Sequence, residues 1–331
     1  RRLVIAVCYG VIMISAAMFW HWSTAGAQPI WLVFVIVAVL GTGRAFFQPA
    51  SSAIVPNLVP EDIFPNAVAW YTSATKSSQI VGPSLGGMLY LAGPEVVYAT
   101  AAVTLAIAIV ATVLIRTRTA HTGKQPTNLK TLLAGLKFVF EKKVILGAIT
   151  LDLFAVILGG VTALLPVFAQ DILDVGAAGA GGLRSAMAAG AVVSALALTQ
   201  FPLSRSVGRI LYLTVFIFGA SIVVFGLSQL FWLSFAAMAV MGASDMVSVY
   251  IRLTLVQIAT PDDMRGRVSA VNSVFTGASN EIGEFRAGSM AVLVGAIPAV
   301  VVGGIGSIIV AALCWKLFPE LTRVERLDRN I

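Results

Sequence analysis

Four polar residues, Asn272, Thr276, Asn280 and Glu284, recur at every fourth position in a stretch otherwise rich in small and apolar side chains. On an α-helix that spacing lines them along one face. A carboxylate on such a face, partly withdrawn from water, offers one kind of chemistry: reversible uptake and release of a proton. Asp152 is a second candidate for the same role. Glu281 is a third, about 100° around the helix from Asn280.

Other ionisable residues also interrupt apolar runs: Arg44, Lys76, Arg184, Asp245, Arg252 and Arg286. Each costs about 2–3 kcal/mol or more in hydrocarbon unless it is paired or hydrated, so each needs a partner or a water-filled cavity. Asp245 and Arg252, seven positions apart, share a helix face and can satisfy each other through water or neighbours. Arg252, or another arginine, is equally a partner for Glu284, which would hold that carboxylate permanently charged. Lys76 shares its face with Thr72, Gln79 and Pro83, a polar stripe that suits a cavity wall. Arg184 sits near a helix end and can snorkel to the surface.

No catalytic or metal-binding constellation accompanies these groups. The chain has no HExxH, GxSxG or Walker loop, and no GxGxxG opening a helix, so an enzyme is not expected. Cys8 and Cys314 lie in separate apolar runs with no Cys or His at ligand spacing, which leaves them as buried core residues. No cofactor and no metal are expected.

The elements that position these groups follow from composition. At 58% hydrophobic and 11% charged, the chain is not a soluble globular protein. Its apolar runs are continuous rather than alternating and are as long as a membrane helix requires, which excludes a barrel of two-faced strands. Spans are predicted at 3–20, 31–54, 66–91, 96–115, 144–170, 179–203, 209–227, 230–258, 267–294 and 297–318.

The net charge of +7 is one-sided in its placement. Lys and Arg crowd 116–143 and alternate helix ends, whereas the connections at 21–30, 92–95, 171–178 and 228–229 contain neither. This bias puts the linker and the C-terminus in the cytoplasm of a multi-pass protein of the plasma (inner) membrane. Nucleic-acid binding is not expected, because no basic patch is interleaved with aromatics.

Domain organisation is expected as follows: a four-helix bundle at 1–115, a basic linker at 116–143, a six-helix bundle at 144–318 and a tail at 319–331. Within the linker, Leu129, Leu132, Leu133, Leu136 and Phe140 form an apolar stripe on a predicted amphipathic helix. Two placements stay open for it: lying on the inner leaflet, or packed on the cytoplasmic ends of the helices.

The two bundles are related by duplication. WLVFVIVAVLG at 31–41 matches WLSFAAMAVMG at 232–242, an offset of 201. The same offset pairs Pro60 with Pro261, Asp62 with Asp263, Thr75 with Thr276, Ser78 with Ser279, Gly82 with Gly283 and Gly87 with Gly288. Matches at Trp, Pro and Gly are hard to obtain from apolar composition alone, so this is a parallel repeat. It sets Arg44 opposite Asp245, as a pair across the repeat axis or as two walls of one cavity. It also leaves two helices unmatched, so the chain is expected to be part of a twelve-helix protein.

Two parallel six-helix halves joined by a basic linker resemble the major facilitator superfamily. Gly82-Pro83-Ser84-Leu85-Gly86-Gly87 resembles the GPxxGG core of that family's antiporter motif, with Ala69 and Ser78 standing at two upstream positions where the motif has glycine. Arg1-Arg2-Leu3 resembles the end of the family's loop motif, and Arg205-Ser206-Val207-Gly208-Arg209 a degenerate second copy. The stretches 152–173 and 260–285 resemble the exporter branch that includes the enterobactin exporter and macrolide-efflux proteins, although Arg286 departs from that branch.

The resemblance implies a major facilitator fold and close helix packing at Gly82, Pro83, Gly86 and Gly87. It further implies a cytoplasmic gate involving Arg205, Arg209, Asp262, Asp263, Arg265 and Arg267. The expected activity is export of a small amphipathic organic molecule, drug-like or siderophore-like, by proton antiport in a monomer. The partners are then that substrate, protons and the lipid bilayer. The alternatives are an importer or lipid flippase on the same scaffold, or a membrane receptor or assembly partner that transports nothing.

Overall fold

The structure, a computed structural model, describes residues 2–25, 29–54, 58, 74–75, 78, 81–82, 85–115, 129–201, 203, 205–261 and 264–326. Among these the chain is helical and contains no strand. It separates into two compact units, Arg1–Lys124 and Gln125–Ile331.

The first unit contains α1 (Arg2–Thr24), α2 (Trp31–Ile54) and α3 (Pro94–Leu114), with further helix at 85–90. α1 packs against both α2 and α3. Tyr9 meets Phe47 at 4.8 Å between ring centroids, and Phe19 stacks on Tyr98 at 5.4 Å.

The second unit opens with α4 (Leu129–Glu141) and α5 (Lys143–Gly159). It continues through α6 (Gly176–Gln200), α7 (Val207–Leu227), α8 (Phe231–Ile258), α9 (Arg265–Val294) and α10 (Ala296–Leu317), and closes with the short α11 (Pro319–Thr322). α7 packs against α8 and α10 just as α1 packs against α2 and α3. Those are the pairs the repeat relates, at an offset of 201 for α2 and α8 and six longer for α1 and α7, so the duplication is visible in packing as well as in sequence.

Seven described helices are long and apolar enough to cross a membrane: α1, α3, α6, α7, α8, α10 and the run Lys143–Ile172. Trp31–Phe47 is a shorter apolar helix. α9 has 30 residues, but its polar stripe and the charges from Arg265 to Arg286 keep it out of that class. Most of the predicted span 66–91 lies outside the described residues.

Two expectations need correction. The span 144–170 is not one helix. α5 stops at Gly159, and Gly160 adopts φ −55°, ψ 117°, which is not helical. A 3₁₀ turn at Thr162–Leu164, an α-turn at Leu165–Val167 and a π-turn at Phe168–Ile172 follow. The cause is local: a Gly-Gly pair weakens the helix, and Pro166 lacks the N–H that would bond back into it.

The inward face of α4 holds only part of the predicted stripe: Leu136 packs there, and the side chains of Leu129 and Leu132 lie outside the described residues. Gly135 and Val139 face inward, while Leu133 and Phe140 are exposed. A Cβ at Gly135 would lie 2.9 Å from the Arg267 carbonyl oxygen, so α4 packs on the start of α9, the second of the two placements. Val139 joins Ile145, Ile149, Val256, Val268 and Val271 in one apolar cluster. Close backbone approach at a glycine outweighed apolar count in choosing the face.

Glycine also marks where the two units differ. A Cβ at Gly242 would collide with the Met187 carbonyl on α6, and one at Gly283 would sit 2.6 Å from the Val156 carbonyl on α5. At their repeat counterparts, Gly41 and Gly82, no described atom lies within 4 Å. The two partners, α5 and α6, are the elements with no repeat counterpart in residues 1–115.

Candidate functional site

Three of the predicted carboxylates of the second unit line two adjoining pockets. α5 supplies Asp152, α8 supplies Asp245, and α9 supplies Asn280 and Glu284. The main cleft is walled by the α5 break from Gly159 to Thr162, with Met187, Phe218 and Met241 as its apolar side. A smaller pocket shares Val156, Phe218 and Asp245 with it and adds Asp152 and Ser248. Asp245 therefore stands at the junction of the two.

Asp152 forms an ion pair with Arg252, the two side chains being only 8% and 3% exposed. It takes the place of the expected Glu284–Arg252 pairing. The guanidinium belongs to α8. Asp152, on the facing surface of α5, reaches it across the α5–α8 contact. The Arg252 Nε is buried and has no hydrogen-bond partner, so this pair is only partly satisfied. Among the described residues Glu284 forms no ion pair.

The polar stripe on α9 divides along its length. Asn272 is buried, Thr276 is half-buried, and only Asn280 and Glu284 line the cleft. The Asn280 amide Nδ2 donates to the Thr276 carbonyl at 2.9 Å, which fixes its orientation along the helix. Glu281 is exposed and is not part of the cleft wall.

Sequence reasoning missed how closely α5 and α9 approach. A Cβ at Gly160 would lie 2.6 Å from the carbonyl of Gly283, and one at Gly283 would lie 2.6 Å from that of Val156. Two of the carbonyls freed where α5 ends are met by one side chain from α9. Arg286 Nε donates to the Ile157 carbonyl at 2.9 Å, and its Nη2 donates to that of Leu158. Ser307 Oγ on α10 donates to the Ala155 carbonyl at 2.8 Å. The signal was present in the sequence: Gly159-Gly160 followed by Pro166 inside an apolar run.

The remaining candidates lie elsewhere. Arg44 is exposed on α2 of the first unit, whereas Asp245 belongs to the second. Gly82 is exposed, and Gly86 and Gly87 are half-buried, with no described atom within 4 Å of a Cβ at Gly86. Arg205 and Arg209 are exposed at the start of α7. Arg267 is half-buried, and its Nη1 donates to Met264 Sδ at 3.4 Å. Lys76, Pro83, Asp262 and Asp263 lie outside the described residues, as does the Arg265 side chain. No group of three His, Cys, Asp or Glu with metal-site geometry occurs among the described residues.

Comparison with known proteins places this arrangement in context. The sequence profile of the Major Facilitator Superfamily matches residues 1–284. The chain is 26% identical over 295 residues to the enterobactin exporter EntS of Citrobacter koseri, covering 88% of this chain and 71% of that protein. To EntS of Escherichia coli O139:H28 it is 25% identical over 300 residues, covering 89% and 72%. Among solved structures, a bacterial homolog of the human lysosomal transporter Spinster superposes with a TM-score of 0.70 at 15% identity, covering 97% of this chain and 84% of that one. A D-xylose-proton symporter gives 0.69 at 14% identity, covering 97% and 82%.

Proposed function

The chain belongs to the major facilitator superfamily, and from that premise we propose that it exports a small amphipathic organic molecule by alternating access, in exchange for protons. It is a multi-pass membrane transporter and not an enzyme. The likeness to EntS, an enterobactin exporter, supports the outward direction. In this reading the chain works as a monomer in the inner membrane, with 116–143 and the C-terminal tail cytoplasmic. The division into bundles at 1–115 and 144–318 belongs to the same reading.

One observation carries the coupling: Glu284 and Asp245 line a cleft whose other wall is Met187, Phe218 and Met241. A charged carboxylate resists closure of such a cleft, because closing it strips away water. A protonated carboxyl does not, and neither does a carboxylate covered by a polar or cationic part of the substrate. Proton and substrate are then alternative ways to allow closure, which is the requirement for exchange. The methionines supply an adaptable apolar surface for the rest of the substrate. Asp152, held by Arg252, serves as structure. Arg205, Arg209, Asp262, Asp263, Arg265 and Arg267 form the cytoplasmic gate.

The test is export from proteoliposomes under an imposed pH gradient. Glu284→Gln is expected to keep substrate binding and lose the response to the gradient. Unchanged gradient-driven export would remove Glu284 from the mechanism, and Asp245→Asn would then test the other cleft carboxylate.

A further inference from the structure

We propose that Arg286 is a positioning residue: it caps the broken end of α5 and so holds the cleft-lining segment 159–162 in fixed register with Glu284.

The need for a cap follows from the break. The last four carbonyls of any helix lack partners within it, and in hydrocarbon no water is available to replace them. α5 ends at Gly159, in the middle of the apolar run Lys143–Ile172, so its final carbonyls face that problem. Arg286 meets two adjacent ones, those of Ile157 and Leu158, with two arms of a single guanidinium. A planar fork suits two neighbouring acceptors, whereas an ammonium acts as a point donor. A fixed positive charge at a helix C-terminus also complements the helix dipole.

The site is shaped around the fork. Gly303 on α10 leaves room for it, since a Cβ there would lie 2.8 Å from Arg286 Nη2. Gly283 lets the α9 backbone abut the Val156 carbonyl just ahead of the capped pair. The third guanidinium nitrogen, Nη1, rests 3.4 Å from Met290 Sδ, one turn further along α9. Arg286 does not line the cleft, but Glu284, two residues earlier, does. Two residues is about 200° of helix, so the two side chains act on opposite faces. The helix that presents Glu284 to the cleft thus grips, from behind, the segment forming the opposite lip.

Without the cap, the Ile157 and Leu158 carbonyls would draw water from the cleft or recruit residues beyond Gly160 into further helix. Either change moves 159–162 relative to Glu284. Loss of a purely stabilising arginine would instead lower the stability of the whole unit evenly.

The test is hydrogen exchange of the full chain in lipid nanodiscs, comparing wild type with Arg286→Gln and Arg286→Lys. Exchange at 159–164 is expected to rise at least tenfold in Arg286→Gln, with α7 unchanged, and by less in Arg286→Lys. Unchanged exchange at 159–164, or an equal rise across the second unit, overturns the proposal. If Arg286→Gln does not fold, Arg286→Lys decides alone: a rise confined to 159–164 supports the cap, and no rise refutes it. The transport arm rests on the proposed function: KM for export is expected to rise tenfold in Arg286→Gln, with turnover at saturation retained and the pH profile displaced. Hydrogen exchange does not depend on transport, so a wild-type chain that exports nothing sinks the function and leaves the cap still decided.

Discussion

Removing the negative partner of the Asp152–Arg252 pair tests whether that pair organises the second unit. Arg252 is 3% exposed and Asp152 8%, so Asp152→Asn strands a cation that water cannot reach. Breaking a buried pair from one side costs about 3–5 kcal/mol. Asparagine keeps one oxygen to accept from the guanidinium, which favours the lower end, about 3 kcal/mol. For a unit of this size each kcal/mol is worth about 2–4 °C, so the expected fall in Tm is about 6–12 °C. The free cysteines provide the readout: Cys8 lies in the first unit and Cys314 in the second, and both are buried. In a Cys8→Ser background, a thiol-reactive fluorophore reports unfolding of the second unit alone. The double variant Asp152→Asn/Arg252→Met removes the stranded charge as well, and should be more stable than the sum of the single losses by about 2 kcal/mol. Additivity within about 0.5 kcal/mol would mean that the pair carries no coupling, and the reasoning fails.

Gly242→Leu forces a side chain into the Met187 backbone and should cost about 3 kcal/mol or prevent folding, whereas Gly41→Leu, at its repeat counterpart, should change Tm little. Equal effects at the two positions in the thermal assay would refute the glycine-seam account. An impermeant thiol reagent should label cysteines introduced at 116–143 only in inverted vesicles; labelling in intact cells would reverse the proposed topology.

Helix existence was legible because lipid leaves a chain few options, and runs such as α7 and α10 announce themselves by length. The repeat was legible because Trp, Pro and Gly matches stand out from an apolar background. What escaped was partner choice. Asp152 and Glu284 are equally good partners for Arg252 on charge alone, and the α5–α8 contact brings Asp152 to it. Periodicity placed Leu133 and Phe140 on the inner face of α4, but Gly135 lets the α9 backbone come closer on another side. For α4 the deciding quantity was a backbone-to-backbone distance, which a sequence records only as an unobtrusive glycine.

The break in α5 connects these observations into one physical requirement. An interrupted helix inside hydrocarbon needs donors for its exposed carbonyls, a neighbour close enough to supply them, and a reason to tolerate the interruption. Arg286 is the donor to two of them. Gly160 and Gly283 allow the approach, and the cleft that the break opens beside Glu284 is the reason. An unbroken α5 would carry its backbone hydrogen bonds straight past this region, with no lip from Gly159 to Thr162. The charges on α9 that lower its apolarity therefore act in two directions, with Arg286 holding the break from behind and Glu284 facing the space it creates.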